Sequence, residues 1–489
     1  MTAMPDIKLD AALADAMLTL PADDALRAAN RAFAERFRGE HGGRQPVHTV
    51  YGGAQLFSRD SVPKLGAAAL RSLDAFAPDW LAFARAVGLP GAERWDASPD
   101  RALLHTVVEA ESAAGRGGSG GAWLAHRVYE RVVEKLRREP VEDFRIDFED
   151  GYGNRPDAEE DGHAASVAAE VARGMEAGTL PPFIGIRIKP LTEELRGRSV
   201  RTLRIFLATL VREASGRLPQ NFVLTLPKIT IAEQVAYFAS VLDALEPALG
   251  LAPGALRFEM MIETPQVILD ARGESALPKI LDAARGRATA AHFGTYDYTA
   301  GVNITSAHQR MRHPACDFAR HMMQVAYAGT GLWLSDGSTA VLPVPPRRAA
   351  PGAALSAEDE RENVASVHRA WRLHYDDVHD SLVRGFYQGW DLHPAQLPTR
   401  YAAVYAFFLG GLDAAGDRLR NFVEKAAQAT LVGDTFDDAA TGQGLLNFFL
   451  RGINCGALAE EETLTRTGLT LGELRSRSFV TILRGRAGS

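Results

Sequence analysis

From residue 47 onward, short apolar runs alternate with longer amphipathic stretches. The strand-like runs are VHTVYGG, DFRIDFEDG, FIGIRIKP, FVLTLPK, Phe258 to Ile262, Ala290 to Phe293, GLWLSDGS and GWDLHP. In DFRIDFEDG, Phe144, Ile146 and Phe148 alternate with polar residues, the period of a strand. Six of the eight runs are separated from the next by a helix-length segment, such as RSVRTLRIFLATLVREA or AEQVAYFASVLDALEPAL. Eight such units predict an α/β protein built on a (β/α)8 TIM barrel, with its site at the carboxyl ends of the strands.

The flanks read differently. Residues 1–45 form an N-terminal helical extension broken at Pro21 and closed by the loop HGGRQP. The barrel is expected over 46–400, with a helical insertion at about 64–140 whose clearest parts surround the flexible GRGGSGG. Residues 401–489 read as a C-terminal helical lid domain, with YAAVYAFFLGGL and GQGLLNFFLRGINCGAL as apolar-faced segments.

Composition removes several function classes. The 489 residues carry a net charge of −7, which gives no electrostatic reason to expect nucleic acid or an anionic membrane as partner. Two cysteines, Cys316 and Cys455, exclude a disulfide framework and fit a reducing compartment. The first residues lack the order of a signal peptide, and no run approaches the roughly 18 apolar residues of a membrane span. A cytoplasmic protein is expected, acting on a small molecule.

The strand ends supply the candidate chemistry. They carry Asp147, Glu149 and Asp150 on the second run, Arg187 and Lys189 on the third and Lys228 on the fourth. Glu263, Asp297, Asp336 and His393 follow on the fifth to eighth. Glu263 and Asp297, on adjacent strands, suggest a hard divalent cation, since Mg²⁺ takes one or two protein carboxylates and leaves its other positions to water and substrate. The structural alternative is a pair of solvated strand-end acids. Arg187 could hold a substrate carboxylate with two donors or sit on a developing enolate oxygen; equally, it could be paired with Glu149 or Asp150 to close the mouth. Lys189 and Lys228 leave open a metal-free Schiff-base aldolase.

Six motifs, DFRIDFEDGYG, FIGIRIKP, FVLTLPKITIAEQV, FEMMIETPQVILDA, AHFGTYDYTAGVN and GWDLHPAQLP, resemble in order those of the HpcH/HpaI aldolase and citrate lyase β-subunit family over about residues 141–400. That group is a Mg²⁺-dependent (β/α)8 family which includes malyl-CoA lyases and lies close to malate synthases. The resemblance implies Glu263 and Asp297 as metal ligands for Mg²⁺, with Mn²⁺ as a substitute, and Arg187 as the substrate and enolate arginine. Glu149 and Asp150 match its supporting acidic pair, and Gly294 and Thr295 join Arg187 as candidate substrate-binding positions. VHTVYGGAQLF lacks the basic residue and Pro-Gly turn with which the family's first strand helps to hold coenzyme A, and the insertion and tail exceed those of the short lyases. In the tail, TFDDAATGQGLLNFF resembles the stretch that supplies the catalytic aspartate of malate synthases, matching it at Asp438; the alternative is a helix N-cap.

The leading expectation is a Mg²⁺-dependent carbon–carbon lyase or aldolase acting, as a homo-oligomer, on a small keto or hydroxy acid or its CoA ester through a metal-stabilised enolate. A malate synthase-like acyltransferase using Asp438 is the enzymatic alternative. A carboxylate-binding or accessory subunit without turnover is the alternative of another class.

Overall fold

The computed structural model describes residues 23–39, 42–92, 121–424, 430–432, 435–437 and 439–476, with single positions at 103, 106, 108, 110 and 482. Eight parallel strands close into one barrel in chain order. They are β1 (His48–Gly53), β2 (Asp143–Asp147), β3 (Phe183–Arg187), β4 (Phe222–Leu226), β5 (Arg257–Ile262), β6 (Ala288–Phe293), β7 (Trp333–Ser338) and β8 (Gln388–Asp391). Closure is made by β1 against β8, with Thr49 opposite Trp390.

Alternation decides what each strand does. Ile184, Ile186, Leu224, Leu226, Met260 and Ile262 face outward and are fully buried beneath the surrounding helices. Their neighbours face the barrel axis, and there the lining is unusually polar. Arg145, fully buried, pairs with Asp143 and reaches Glu259 at 2.7 and 3.1 Å and Thr225 at 3.0 Å. A buried guanidinium persists only when its donors are satisfied in this way. The polar alternation in DFRID therefore reports a charged barrel interior, with the apolar partners turned to the helices.

β8 is anchored to the helices outside the barrel. The Asp391 carboxylate accepts from His48 Nδ1 at 2.7 Å, His374 Nε2 at 2.9 Å and Arg400 Nη2 at 2.9 Å. The backbone N–H of Glu142 donates to His48 Nε2 at 3.0 Å, which fixes the Nδ1–H tautomer facing Asp391.

In the insertion, Ser61–Phe76, Trp80–Val87 and Ala122–Arg138 are helices. The tail carries the helices Leu397–Glu424, Ala439–Asn454, Glu460–Thr467 and Leu471–Ser476. It is not helical throughout: Thr430–Val432 and Thr435–Asp437 pair as an antiparallel hairpin. β-branched Thr430, Val432 and Thr435 outweigh helix propensity there.

One described tail contact lies toward the amino end of the barrel. Arg451 Nη1 donates to Gln45 Oε1 at 2.7 Å, just before β1 begins, and its guanidinium stacks 5.0 Å from the Tyr387 ring, just before β8. Other described tail contacts run to the helix Ala122–Arg138, where Arg131 donates to Ala457 O and pairs with Glu462 at 3.1 Å. Asp438 lies outside the described residues. Among the described residues no helix is long and apolar enough to cross a membrane.

Candidate active site at the carboxyl ends of the strands

The mouth of the barrel is built from the ends of β2 to β6. Asp147 closes β2 and stands opposite Arg187, the last residue of β3. Arg187 Nε donates to Asp147 Oδ1 at 2.7 Å and Nη2 to Oδ2 at 2.6 Å. The same carboxylate accepts the backbone N–H groups of Glu149 at 2.9 Å and Gly151 at 2.7 Å, so it also shapes the turn that presents Glu149 and Asp150. The main partner of Arg187 is therefore Asp147, one strand position earlier than the sequence reading placed it. Glu149 Oε2 lies 3.1 Å from Arg187 Nη1, and Asp150 Oδ2 lies 4.0 Å away.

Beneath Arg187 is an aromatic floor that the sequence reading missed. The guanidinium sits 4.6 Å from the centre of the Tyr51 ring, and Tyr51 packs 4.8 Å from Trp390. A ring face against a guanidinium adds an attraction without using any of its five N–H donors. Tyr51 reads as an ordinary strand aromatic, but it shares the inward parity of Thr49 and Gly53 on β1, and that parity was the available signal.

Across the mouth, Glu263 follows β5 with only 2% of its surface exposed. Gly294, just after β6, leaves the space it occupies: a Cβ at residue 294 would lie 2.5 Å from Glu263 Oε2. Thr295 is buried with its hydroxyl against Met311 Sδ at 3.3 Å, a buttress to the helix Thr295–Gly301, in whose first turn Asp297 sits. Lys228 lies in the middle. Its backbone N–H donates to Glu263 Oε1 at 2.6 Å. Its ammonium pairs with Glu149, with Asp150 at 3.0 Å, and with Asp297 at 3.6 Å.

Three strand-end residues point elsewhere. The Lys189 ammonium reaches Phe148 O at 2.6 Å and Glu160 Oε2 at 3.0 Å, on the helix Asp157–Ala177. Asp336 faces outward to Arg320 at 2.8 Å and Ser381 at 2.6 Å. His393 caps the turn Pro394–Gln396, with Nδ1 accepting from Ala395 N at 3.2 Å. Burial alone would lower the Lys228 ammonium, but Glu149, Glu263 and Asp297 raise it above its ordinary value. Lys228 is therefore not the neutral amine that Schiff-base chemistry needs, and Lys189 is turned away from the mouth.

The family model described as Domain of unknown function (DUF6986) matches residues 26–482. The chain belongs to that family. No curated protein matches this DUF6986 chain. A solved citrate lyase from Burkholderia xenovorans LB400 is 18% identical, covering 70% of this chain and 92% of its own, with a TM-score of 0.48. The Haloferax volcanii malate synthase magnesium/glyoxylate complex is 15% identical, covering 72% and 92%, with a TM-score of 0.40. At such values the closed strand order itself is the ground for the fold.

The electrostatics of the mouth fit a cation. Burial and the neighbouring Asp297 and Glu149 carboxylates push Glu263 up to about 8. Burial likewise raises Glu149, aided by Asp150; Asp150 itself, although burial opposes it, is held below its ordinary value by Arg187 and Lys228. Glu149 Oε2 is buried and accepts no hydrogen bond, and Arg187 Nη1 stands 3.1 Å from it. No three His, Cys, Asp or Glu side chains converge as a ready-made metal cluster among the described residues. Mg²⁺ requires only one or two protein carboxylates, a number that Glu263 and Asp297 could supply.

Proposed function

We propose that this DUF6986 chain is a divalent-cation-dependent enzyme that makes or breaks a carbon–carbon bond beside the carbonyl of a small keto or hydroxy acid, as in the HpcH/HpaI aldolase and citrate lyase β-subunit family its motifs resemble. The excess of negative charge at the mouth carries the reading. Asp147, Glu149, Asp150, Glu263 and Asp297 gather there around Arg187 and Lys228. Acids in such excess over their cations, Glu263, Glu149 and Asp147 among them buried, call for further positive charge.

Glu263 and Asp297 would hold Mg²⁺ or Mn²⁺. When bound, the ion would supply positive charge to an oxygen that turns anionic during the reaction. Arg187 spends two donors on Asp147, which fixes its plane; those that remain can receive a substrate carboxylate or oxyanion. The Tyr51 ring keeps water from its lower face. Glu149, with its pKa raised and Oε2 accepting no hydrogen bond, can take or return a proton at the mouth. Gly294 and Thr295 serve this arrangement by making room for Glu263 and by bracing the helix that carries Asp297.

The test is a panel of 4-hydroxy-2-oxo acids, 3-hydroxyacyl-CoA esters, and acyl-CoA offered with a short keto acid, followed by NMR with and without Mg²⁺. Cation-dependent release of a keto acid is the expected result. Condensation of acyl-CoA with the keto acid would assign the acyltransferase reaction instead. Turnover that survives excess chelator would overturn the cation reading, and binding without turnover across the panel would leave a carboxylate-binding protein.

A further inference from the structure

Lys228 is attached to the proposed cation site at both of its ends. It follows β4 after Pro227, and its backbone is left-handed, with φ +48°, a conformation that costs a non-glycine residue free energy and persists only where surrounding contacts impose it. Here its own N–H is held by Glu263 Oε1 at 2.6 Å. The side chain then turns back over the mouth, where its ammonium has carboxylate oxygens of Glu149, Asp150 and Asp297 around it. Several hard oxygens about one positive centre are what a divalent ion also takes.

We propose that the Lys228 ammonium occupies the cation position of this cluster, and that a divalent ion binds by displacing it outward onto Asp150. The inference rests on the cation reading above and adds an exchange to it: one internal monovalent charge leaves as a divalent one enters. Three features favour displacement over coexistence. The ammonium contacts Asp297, one of the two proposed ligands, at 3.6 Å, and its own peptide N–H engages the other. It already shares Asp150, whose side chain is 60% exposed, while that of Glu149 is 6% exposed, so a partner on the solvent side is in place. The backbone anchor on Glu263 leaves the four-carbon stem free to swing without moving the strand.

The experiment uses the full chain. Mn²⁺ binding is measured by electron paramagnetic resonance, and lysine acetylation by a water-soluble reagent is mapped by mass spectrometry with and without Mg²⁺. In the cation-free protein Lys228 should label slowly; Mg²⁺ should raise its rate several-fold and leave buried Lys189 unchanged. Lys228→Met should bind Mn²⁺ at least about tenfold more tightly, because a competing charge within a few ångströms has been removed. Unchanged labelling of Lys228 in wild-type protein that binds Mn²⁺ would overturn the displacement even if Lys228→Met binds more tightly. So would weaker Mn²⁺ binding by that variant, which would make the ammonium a support of the site. Absence of Mn²⁺ binding in both proteins would refute the cation reading itself, and the exchange with it.

Discussion

Arg187 and Asp147 meet across β3 and β2 through both arms of the guanidinium, at 2.7 and 2.6 Å, and the same two oxygens accept the N–H groups of Glu149 and Gly151. Asp147 is therefore a joint: it sets the plane of Arg187 and the turn that carries the acidic pair. Asp147→Asn places an N–H₂ group against one of these donors and leaves a buried guanidinium undercompensated. Its folding stability should fall by about 3–5 kcal/mol, read by urea denaturation. Arg187→Lys keeps the charge but loses the fork, so turnover should drop roughly a hundredfold. An Arg187→Lys protein that melts early yet keeps its turnover per folded molecule would assign Arg187 to the fold alone.

Glu263 ties the site to pH. Its carboxyl is pushed from the ordinary 4.5 to about 8, so between those values the folded protein holds a proton that the unfolded chain has released. Stability of the cation-free protein should therefore fall as pH rises from about 4.5 to 8 and level off beyond. Mg²⁺ should abolish most of that fall. Glu263→Gln should melt higher than wild type at pH 8 without Mg²⁺ and gain nothing when it is added. A wild-type melting temperature that stays flat across this window would remove the buried-acid argument.

Strand ends were legible wherever period and chemistry agreed. Phe144, Ile146 and Phe148 marked the outward face of β2, so Asp147 had to face the axis; Glu263 and Asp297 followed from the order of the runs. Lys189 shows where this stops. It shares the parity of Arg187, but β3 ends at Arg187, and beyond that point the chain is free to turn the ammonium back to Glu160 on the helix behind. Asp336 lies within β7 at an outward position and pairs with Arg320. A charge near a strand end has two partners to choose from, one across the mouth and one on the neighbouring helix, and spacing alone does not rank them. Tyr51 was hidden for the converse reason, since an aromatic ring in a strand is ordinarily core.

Gly294 should be irreplaceable for a steric reason. A Cβ there would lie 2.5 Å from Glu263 Oε2 and closer still to its Cβ, so the Glu263 side chain must move. Gly294→Ala should weaken Mn²⁺ binding about tenfold or more, as expected when one of two charged ligands is displaced. Gly162→Ala is the control, because it lies in the helix Asp157–Ala177 with open space around it. If both variants bind Mn²⁺ like wild type, Glu263 is not a ligand.

The proton carrier is the most exposed question. A carboxylate beside Arg187 would ordinarily be held too acidic to serve, which is the reason for looking to Asp438 in the tail. Glu149 escapes that rule: burial and the negative Asp150 beside it together raise it more than Arg187 and Lys228 lower it. Its Oε2 is also free of hydrogen bonds. Asp438, the alternative base, lies outside the described residues, so experiment has to rank the two. Exchange of the α-protons of a bound keto acid into deuterium oxide, followed by NMR with Mg²⁺ present, separates the two. Glu149→Gln should slow exchange at least about a hundredfold while Mn²⁺ binding persists, and Asp438→Asn should stay within a few-fold of wild type. The reverse order would place the base on the tail.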